Sequence, residues 1–588
     1  MSKKLHPNEH LSPNIIKDVT SGSPGIVAGE IAAEEEGLIN QSVLKSHSYG
    51  SIERGSNGEL TANEETETEE NDEYALPMGK LYTVVFSIFM GSYLAALDTT
   101  VVTTLLSIIA SDLNAVGSIS WIATSYLLSN AAFQPLFGKL SDIFGRKSLL
   151  LTSCALFTIG CVVCATDSLI WLIVGRFVTG CGGSGLTTVG TITMSDLIPL
   201  RDRGLYQGLA NVFFGLGAAS GGLVGGIIAD TLGWKYVFIL QVPISLLVGF
   251  LIYQFLVLPV GSPGLGAHGE DIKQKVKRVD FMGSFFLVSS LMCFMTLASL
   301  GGTKIPFSSL NFIGLALAGT VLLLMFIYVE LRVSNEPILP LELFAERTVL
   351  SSSLTNWFYT MGVFAGLFYV PIYFTSVLGL SATQNGERTV ANFFATSFGS
   401  VGAGYYMKKT GKYYKLTVVV GVISILGSVR ILLMSTKPSL FMQFTAAFPC
   451  VYGYSNILTI TLLSLIASVP LKYQACTTSI QYTFRSTGST LGVSIGSALF
   501  QNLLKSNLND RIHQLISDPL VADKIIHKAL DSARYVNEAP KIVREAIVES
   551  YALGCKGSFA FSVATISLGF LSSLFIREHV LHSKMNRD

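Results

Sequence analysis

The sequence contains few charged residues for its length. Only 13% of its 588 residues are Asp, Glu, Lys or Arg, whereas 50% are hydrophobic. A soluble domain carries about a quarter charged residues, so a chain of this composition is solvated mainly by lipid. The composition therefore excludes an ordinary water-soluble globular protein and indicates an integral membrane protein.

The sequence also lacks the motifs of ATP-driven pumps and of the common enzymes. No G-x-x-x-x-G-K-[ST] occurs, so the chain has no P-loop of its own with which to use ATP. All eight histidines lie outside the apolar runs, and the eight cysteines lie inside or beside these runs as small apolar residues. We therefore expect no metal, no cofactor, no enzymatic activity and no nucleic-acid partner.

The first 80 residues lack apolar runs, contain only two aromatic residues, Tyr49 and Tyr74, and hold 15 acidic against 6 basic residues. This composition predicts a disordered acidic tail, and the missing apolar segment argues against a cleaved secretory signal. Glu34, Leu38 and Ile39 fit the acidic dileucine pattern that clathrin-adaptor complexes bind, and Tyr49 to Ile52 fit the tyrosine-based pattern. Both patterns are short and also arise by chance, but together they favour delivery to a vacuolar, lysosome-like membrane.

Fourteen apolar runs follow the tail, and most have about the twenty residues that a helix needs to cross the hydrocarbon core. The short loops on one side hold 16 basic residues and those on the other side hold 4. This bias places both termini in the cytosol. The predicted runs are 81–104, 119–138, 148–166, 169–194, 207–229, 234–259, 281–300, 308–331, 349–375, 388–407, 415–435, 440–469, 474–500 and 555–577.

A charged loop from Gly138 to Lys147 separates the second and third runs. Its Gly138 and Gly145 supply tight backbone, and Asp142, Arg146 and Lys147 stay at the aqueous edge. A plain turn with positive-inside charges would explain these residues. The loop nevertheless resembles, residue by residue, the signature between helices 2 and 3 of the major facilitator superfamily. In that family the aspartate and arginine belong to a charge network that latches the two halves, and Asp202 or Arg203 are candidate partners here.

The 138–147 loop, which we call the organising loop, has a similar stretch later in the chain, which we call its echo. Gly404 and Gly411 repeat its glycine spacing of seven and its basic end, between the tenth and eleventh runs. A duplicated six-helix unit explains this repetition. The predicted fold is therefore an all-α polytopic membrane protein with the major facilitator fold, whose fourteen transmembrane helices form two six-helix bundles plus two inserted helices.

The predicted organisation follows from these boundaries. It comprises a disordered cytoplasmic tail (1–80), an N-terminal six-helix bundle (81–259), a cytoplasmic loop with two inserted helices (260–348), a C-terminal six-helix bundle (349–577) that includes a polar lumenal loop (501–554), and a cytoplasmic tail (578–588).

Two charged residues lie inside apolar runs. Asp98 is a carboxylate at membrane depth, which is costly and therefore functional by default. It could pick up and release a proton, pair with a cationic substrate, or merely bond to nearby hydroxyls. Arg176 resembles the superfamily's helix-4 arginine, which is linked to proton coupling, although it could simply order neighbouring carbonyls. We predict that Asp98 and Arg176 form the proton and substrate coupling site near the midplane.

The fifth run is rich in glycine and resembles the superfamily's antiporter motif without its usual proline. Close helix packing alone would give similar glycines. These residues are Gly215, Gly221, Gly222, Gly225 and Gly226. Other polar residues in apolar runs are candidates for lining a cavity, although hydrogen bonds between helices are the commoner reason for them, and Arg485 could also reach the aqueous edge. They are Asn130, Asn211, Asn356, Asn392, Asn456 and Arg485.

Further motifs resemble the fourteen-span drug:H+ antiporter branch, among them Leu97 to Val101, Trp121 to Tyr126 and Asp280 to Gly283. Within that branch, Tyr206 to Asn211 and Phe238 to Pro243 look most like fungal vacuolar basic amino acid transporters. The resemblance implies exchange of lysine, arginine or histidine for protons across the vacuolar membrane. The alternatives are drug or toxin efflux at the plasma membrane and a transporter-like amino acid receptor.

Overall fold

The computed structural model of the chain describes residues 77–113, 119–258, 262–267, 269–301, 305, 309–334, 336–380, 382–516, 518–531 and 535–581. Within these ranges the chain is helical, and its only β-structure is an isolated bridge between Gly301 and Ile305. The sorting patterns around Glu34, Leu38 and Ile39 lie outside the described residues, as does nearly all of the predicted tail.

Eighteen α-helices occur in the described ranges. They are α1 (Met78–Asp112), α2 (Ile119–Phe144), α3 (Arg146–Cys164), α4 (Leu169–Leu197), α5 (Leu200–Thr231), α6 (Lys235–Phe255), α7 (Ile272–Lys277), α8 (Phe281–Leu300), α9 (Leu310–Arg332), α10 (Arg347–Ser376), α11 (Ala382–Thr410), α12 (Tyr414–Leu432), α13 (Leu440–Thr445), α14 (Phe448–Ala467), α15 (Gln474–Leu515), α16 (Pro519–Asp531), α17 (Tyr535–Glu538) and α18 (Lys541–Ser573).

Each predicted apolar run falls on one of these helices, with α13 and α14 sharing one run. Large apolar side chains remain exposed along the outside, for example Leu223 on α5, Phe250 on α6 and Leu324 on α9. Such helices are stable only where lipid covers them. Eleven segments of the described chain are long and apolar enough to cross a membrane. The all-helical membrane fold is confirmed, and the count of fourteen spans stays a prediction.

The helices pack in two similar sets, which we call the N-terminal half (α1 to α6) and the C-terminal half (α10 to α18). In the first half α1 packs on α4, α5 and α6, and in the second half α10 packs in the same way on α14, α15 and α18. Across the interface α2 packs on α15 and α5 packs on α11, which are again equivalent pairs. This repeated neighbour pattern is what a duplicated six-helix unit produces.

Each half has its own apolar core. One core is built from buried residues between Val84 and Leu258, and the other from buried residues between Tyr359 and Leu581. The helices α8 and α9 pack on each other, and α8 also contacts α2 and α15. The two inserted helices therefore lie beside the α2–α15 contact. The exact domain boundaries remain a prediction.

The polar segment 501–554 is helical for most of its length. Helix α15 does not end near residue 500 as predicted but continues to Leu515, and α18 begins at Lys541, before the predicted run at 555. With 42 residues, α15 is about 63 Å long, twice the thickness of the hydrocarbon core. Its last turns pack with α16, α17 and the start of α18 around buried Leu508, and the Tyr551 hydroxyl donates 2.6 Å to the carbonyl of Ala529.

Replacing Leu508 with alanine should lower the free energy of unfolding of this helical cluster by about 2–5 kcal/mol, since the side chain is fully buried. Amide hydrogen exchange of α16 and of the first turns of α18 measures the loss. Leu515→Ala is the control, because that side chain on the same helix is 50% exposed. Equal protection in both variants would show that Leu508 does not hold the cluster together.

Candidate functional site

The loop between α2 and α3 is shorter than the sequence suggested. Helix α2 continues through Phe144, Gly145 makes the turn with a φ of 89°, and Arg146 is already the first residue of α3. A side chain at Gly145 would be strained, both by this φ and by the carbonyl oxygen of Leu265, 3.0 Å from the position of its Cβ. Glycine is therefore required here. We call this end of the bundle the loop end.

Arg146 turns inward and is 2% exposed. Its Nη1 donates to Asp142 Oδ1 and to Ser141 Oγ, both at 2.6 Å, and its Nε donates to Asp196 Oδ2 at 2.9 Å. Two carboxylates from α2 and α4 thus share one guanidinium, whose fork geometry suits such bridging. The network that was predicted for Asp142 and Arg146 exists within the N-terminal half.

The sequence interpretation missed Asp196. It named Asp202 or Arg203 as further members, but Asp202 pairs with Lys408 of α11 at 2.9 Å. Arg203 instead donates to the carbonyls of Ser195 and Ile198 at the end of α4. Asp196 lies at the end of an apolar run, at the level that the 138–147 loop must reach, and this was the available signal. Lys147 lies 5.4 Å from the Tyr253 ring, outside the network.

Replacing Asp196 with asparagine removes one of the two charges that neutralise Arg146. We expect the free energy of unfolding to fall by about 1–3 kcal/mol, the cost of weakening a buried charge-assisted hydrogen bond. Thermal unfolding in detergent measures it. Asp167→Asn is the control, because Asp167 is 80% exposed and its pair with Lys235 should contribute at most about 1 kcal/mol. A smaller effect at Asp196 than at Asp167 would contradict the assignment.

The segment after α6 covers the loop. The backbone N–H of Ala267 donates 3.0 Å to the carbonyl of Ile143. Glu336, before α10, accepts from Arg278 Nε at 2.7 Å and from Lys139 Nζ at 3.2 Å. Partial burial opposes the charge of Glu336, but these hydrogen bonds outweigh it and hold the pKa of the carboxyl below its usual value. The inserted helices are thereby tied to α2.

The glycines of the organising loop and of its echo have matching roles. A Cβ on Gly138 would lie 2.8 Å from Ser479 Cβ on α15, and one on Gly404 would lie within 3.0 Å of the backbone of Gly204 and Leu205 on α5. Gly138 and Gly404, the first glycine of each stretch, therefore permit close contact between the halves. The second glycine of the echo, Gly411, has a φ of 67° and makes a turn, as Gly145 does.

Asp98 and Arg176 form a buried ion pair, as the sequence grouped them. Arg176 Nη1 donates to Asp98 Oδ2 at 2.5 Å, and the side chains are 1% and 0% exposed. Gln241 Nε2 approaches Asp98 Oδ1 at 3.5 Å, and its own Oε1 is buried without a hydrogen-bond partner. The Arg176 guanidinium lies 4.4 Å from the centre of the Tyr126 ring, whose hydroxyl donates to the carbonyl of Ala95.

Arg176 and Gln241 lie in the parts of their helices that are opposite the loop end. Arg176 is seven residues, about 10 Å, from the start of α4, and Gln241 is six residues, about 9 Å, from the start of α6. All of the groups that surround the pair of Asp98 and Arg176 belong to the N-terminal half. The structure therefore places Asp98 in a closed polar cluster, not on a wall between the halves.

A separate polar cavity of about 80 Å³ lies between the halves. It includes three of the predicted residues, Asn130, Asn211 and Arg485. Along α2, α5 and α15 these residues are 11 to 14 residues, about 16–21 Å, from the loop end, which is close to the middle of a bilayer. The lining residues are Ser92, Asn130, Gln134, Thr187, Gln207, Ala210, Asn211, Phe214, Tyr482, Arg485 and Ser486.

The other predicted cavity residues do not line this space. Asn356 donates 2.9 Å to the carbonyl of Gln481, Asn456 donates 2.8 Å to that of Tyr452, and the backbone carbonyl of Asn392 accepts from Thr396. Hydrogen bonding within and between helices explains Asn356 and Asn456. The glycine-rich stretch of α5 mainly packs on α1, where Gly221 and Gly225 face Thr100 and Val101, while Gly226 has no neighbour within 4 Å of its Cβ position. Gly215 faces Phe393 of α11.

Hydrogen bonds join the halves from the cavity to the loop end. They connect helices of opposite halves on the same side of the bundle as the close contact between Gly204 and Gly404. A cavity of 80 Å³ is smaller than the roughly 300–1,000 Å³ of small-molecule sites, so the halves must part to admit a ligand. The bonds described are Ser486–Gln134 (2.8 Å), Asn211–Ser400 (3.2 Å), Thr191–Tyr482 (2.7 Å), Arg201 to the carbonyl of Lys408 (2.8 Å) and Lys408–Asp202 (2.9 Å).

A family model described as Major Facilitator Superfamily matches residues 88–493. The chain is 32% identical over 518 residues to the multidrug resistance protein fnx1 of Schizosaccharomyces pombe, covering 86% of this chain and 94% of that protein. It is 33% identical over 504 residues to the vacuolar membrane amino acid uptake transporter fnx2 of the same organism, covering 85% and 84%. It is 29% identical over 543 residues to vacuolar basic amino acid transporter 1 of Saccharomyces cerevisiae, covering 86% and 94%.

A solved structure shares the fold. The crystal structure of the human organic anion transporter MFSD10 superposes with a TM-score of 0.55 at 12% identity, covering 84% of this chain and 99% of that one. At this identity the likeness concerns the fold alone, and it agrees with the helical arrangement described above.

Proposed function

Since this chain belongs to the Major Facilitator Superfamily, whose members are transporters rather than enzymes, we propose that it exchanges basic amino acids for protons across the vacuolar membrane. The observation that carries the proposal is the arrangement of two sites. A buried acidic group, Asp98, lies in the N-terminal half, and a polar cavity lies between the halves near mid-depth.

Asp98 is suited to carry the proton. In the conformation described, Arg176 neutralises it, and the unpartnered Oε1 of Gln241 lies in the same cluster. A movement that lengthens the 2.5 Å contact leaves a buried carboxylate without its counter-ion, and such a group takes up a proton. Gain and loss of the pair thus provide two states that bind the proton differently.

The cavity is suited to a small polar substrate. Amides from α2 and α5 and hydroxyls from α1, α4 and α15 supply both donors and acceptors, and residues of both halves take part. A substrate held there is exposed alternately to either side as the halves rock. Asp98 does not line this space, so in this proposal Asp98 carries the proton and the cavity holds the substrate.

The substrate class and the membrane rest on the relatives. One is named a vacuolar membrane amino acid uptake transporter and another a vacuolar basic amino acid transporter. With the predicted orientation, the loop end faces the cytosol and the opposite end, near which Asp98 lies, faces the lumen. An acidic lumen would then supply the proton at the nearer end.

Vacuolar vesicles from cells that express the protein provide the test. We expect uptake of radiolabelled lysine, arginine and histidine, but not of a neutral control, and loss of this uptake with a protonophore. Uptake that persists with the protonophore would overturn proton coupling. No flux of any basic amino acid would overturn the substrate class. It would favour drug efflux, since the relative fnx1 is named a multidrug resistance protein, or a receptor that binds without transport.

A further inference from the structure

Arg485 is a charged residue without a protein counter-ion in the cavity between the halves. Its half-buried guanidinium lies 5.2 Å from the Phe214 ring. The described residues that line the cavity include no Asp or Glu, and within the described chain no carboxylate oxygen lies within 4.0 Å of the guanidinium. By contrast, both Arg146 and Arg176 have buried carboxylate partners.

The depth of Arg485 makes this unusual. It is eleven residues, about 16 Å, from the start of α15, too far from the loop end to be placed in bulk water by its own length. An ionised group at this depth is unfavourable unless it faces a polar space and meets an anion there. A guanidinium with a free fork is the side chain that best fits a carboxylate.

An unused acceptor lies in the wall of the same cavity. Gln207 on α5 is 4% exposed, and its Oε1 has no hydrogen-bond partner. Its Nε2 is engaged with Asn211 Oδ1 at 3.4 Å, which orients the amide. A buried carbonyl oxygen without a donor is costly, so an ammonium group of a ligand would satisfy it.

We propose that Arg485 binds the main-chain carboxylate of the substrate and that Gln207 Oε1 accepts from its α-ammonium group. This inference rests on the proposed function and deepens it, because it assigns the chemical class at that site as a zwitterionic α-amino acid. The substrate side chain is then read by the remaining polar wall, including Asn130 and Ser486. A cationic compound without a carboxylate leaves Arg485 unpaired and is rejected.

Since Arg485 is on α15 and Gln207 is on α5, the two ends of the zwitterion join the two halves. In the empty cavity the guanidinium of Arg485 has no carboxylate partner, and the substrate carboxylate supplies one. Closure around an amino acid therefore buries Arg485 with a carboxylate partner, whereas closure around a diamine buries Arg485 together with two further positive charges. This difference ties movement of the halves to occupancy by the correct ligand.

The test uses the purified full-length protein in liposomes that are preloaded with lysine, so that exchange needs no proton gradient. Unlabelled lysine, lysinamide, 1,5-diaminopentane and Nα-acetyllysine compete with labelled lysine. We expect lysinamide and 1,5-diaminopentane to compete about 10- to 100-fold more weakly than lysine, the worth of a charge-assisted hydrogen bond.

Arg485→Gln should raise the apparent KM for lysine by about 10- to 100-fold and abolish the preference for lysine over lysinamide. Arg485→Lys should keep part of the preference, because it retains the charge but not the fork. Gln207→Leu should abolish the discrimination against Nα-acetyllysine while leaving that against lysinamide. The matched control is Lys505→Gln, which removes an exposed charge further along α15. It should change neither the apparent KM for lysine nor the preference for lysine over lysinamide.

The outcomes separate the two proposals. Wild-type exchange of lysine with equal competition by lysinamide, or an unchanged KM in Arg485→Gln, would overturn this assignment and leave the proposed function standing. No exchange of lysine, arginine or histidine by the wild type would overturn the proposed function and this assignment with it.

Discussion

Replacing Asp98 with asparagine is expected to abolish proton-driven accumulation of substrate while leaving exchange of substrate for substrate. A pH difference of about 2 units can sustain roughly 100-fold accumulation for each proton exchanged, since one pH unit corresponds to about 1.36 kcal/mol. Without a titratable group at Asp98, the accumulation ratio should fall toward one. Exchange should persist, because the cavity that holds the substrate does not include Asp98. Flux in liposomes with and without an imposed gradient measures both quantities.

The controls for Asp98→Asn separate uncoupling from misfolding. The substitution leaves Arg176 as a buried unpaired charge, which should cost about 3–5 kcal/mol of unfolding free energy. The double variant D98N/R176Q removes that charge, so it should recover much of the stability and remain uncoupled. Asp112→Asn makes the same change at an exposed site on α1 and should transport normally. Gradient-driven accumulation at the full rate in Asp98→Asn would exclude Asp98 as the proton site.

Replacing Gly404 with alanine is expected to reduce transport at least about tenfold. In an isolated helix this change should be stabilising by about 1 kcal/mol. Here the new Cβ meets the backbone of Gly204 and Leu205 across the interface, where no side chain can move aside. The halves cannot then approach at the loop end, so the conformation described above is lost from the cycle. Initial rates of lysine exchange measure the effect.

Gly402→Ala is the matched control for Gly404→Ala, because nothing lies within 4 Å of the corresponding Cβ on the same helix. Spin labels at the exposed residues Ser148 and Lys409 report the separation of the halves at the loop end. They are best introduced as an unnatural amino acid, since the chain has eight cysteines of its own. Gly404→Ala should lengthen the distance between the labels and Gly402→Ala should not. Unchanged transport and distance in Gly404→Ala would show that the contact is dispensable.

The sequence was sufficient to predict most of the fold. An apolar run that is long enough to cross a bilayer is expected to form a helix, because lipid offers no hydrogen-bond partners to the backbone N–H and C=O groups. The glycine spacing from Gly138 to Gly145 and from Gly404 to Gly411 also identified two equivalent positions. Glycine is required for the same physical reasons in both stretches, namely close contact with the other half at the first position and a positive φ at the second.

Other features depend on contacts that the sequence does not encode locally. The position of Asp196 at the end of an apolar run makes it a candidate partner of Arg146, but choosing it over Asp202 requires knowing that α4 ends beside Arg146. The depth of Asp98 depends on where α1 begins relative to α4 and α6. The apolar residues within 501–554 recur at helical spacing, but that they form one core with the end of α15 follows only once α15 extends to Leu515.

The length of α15 gives the molecule a lever. One continuous helix carries the contact with Gly138 near its start, Arg485 about 16 Å along, and the cluster around Leu508 at its far end. From Arg485 to Leu515 the arm is about 45 Å long, so a tilt of about 5° at the cavity displaces its tip by about 4 Å. An antibody fragment bound to the cluster would therefore move with the tip of α15. Its position would report how far the two halves have parted at the cavity, and its binding would favour one arrangement of the halves over the other.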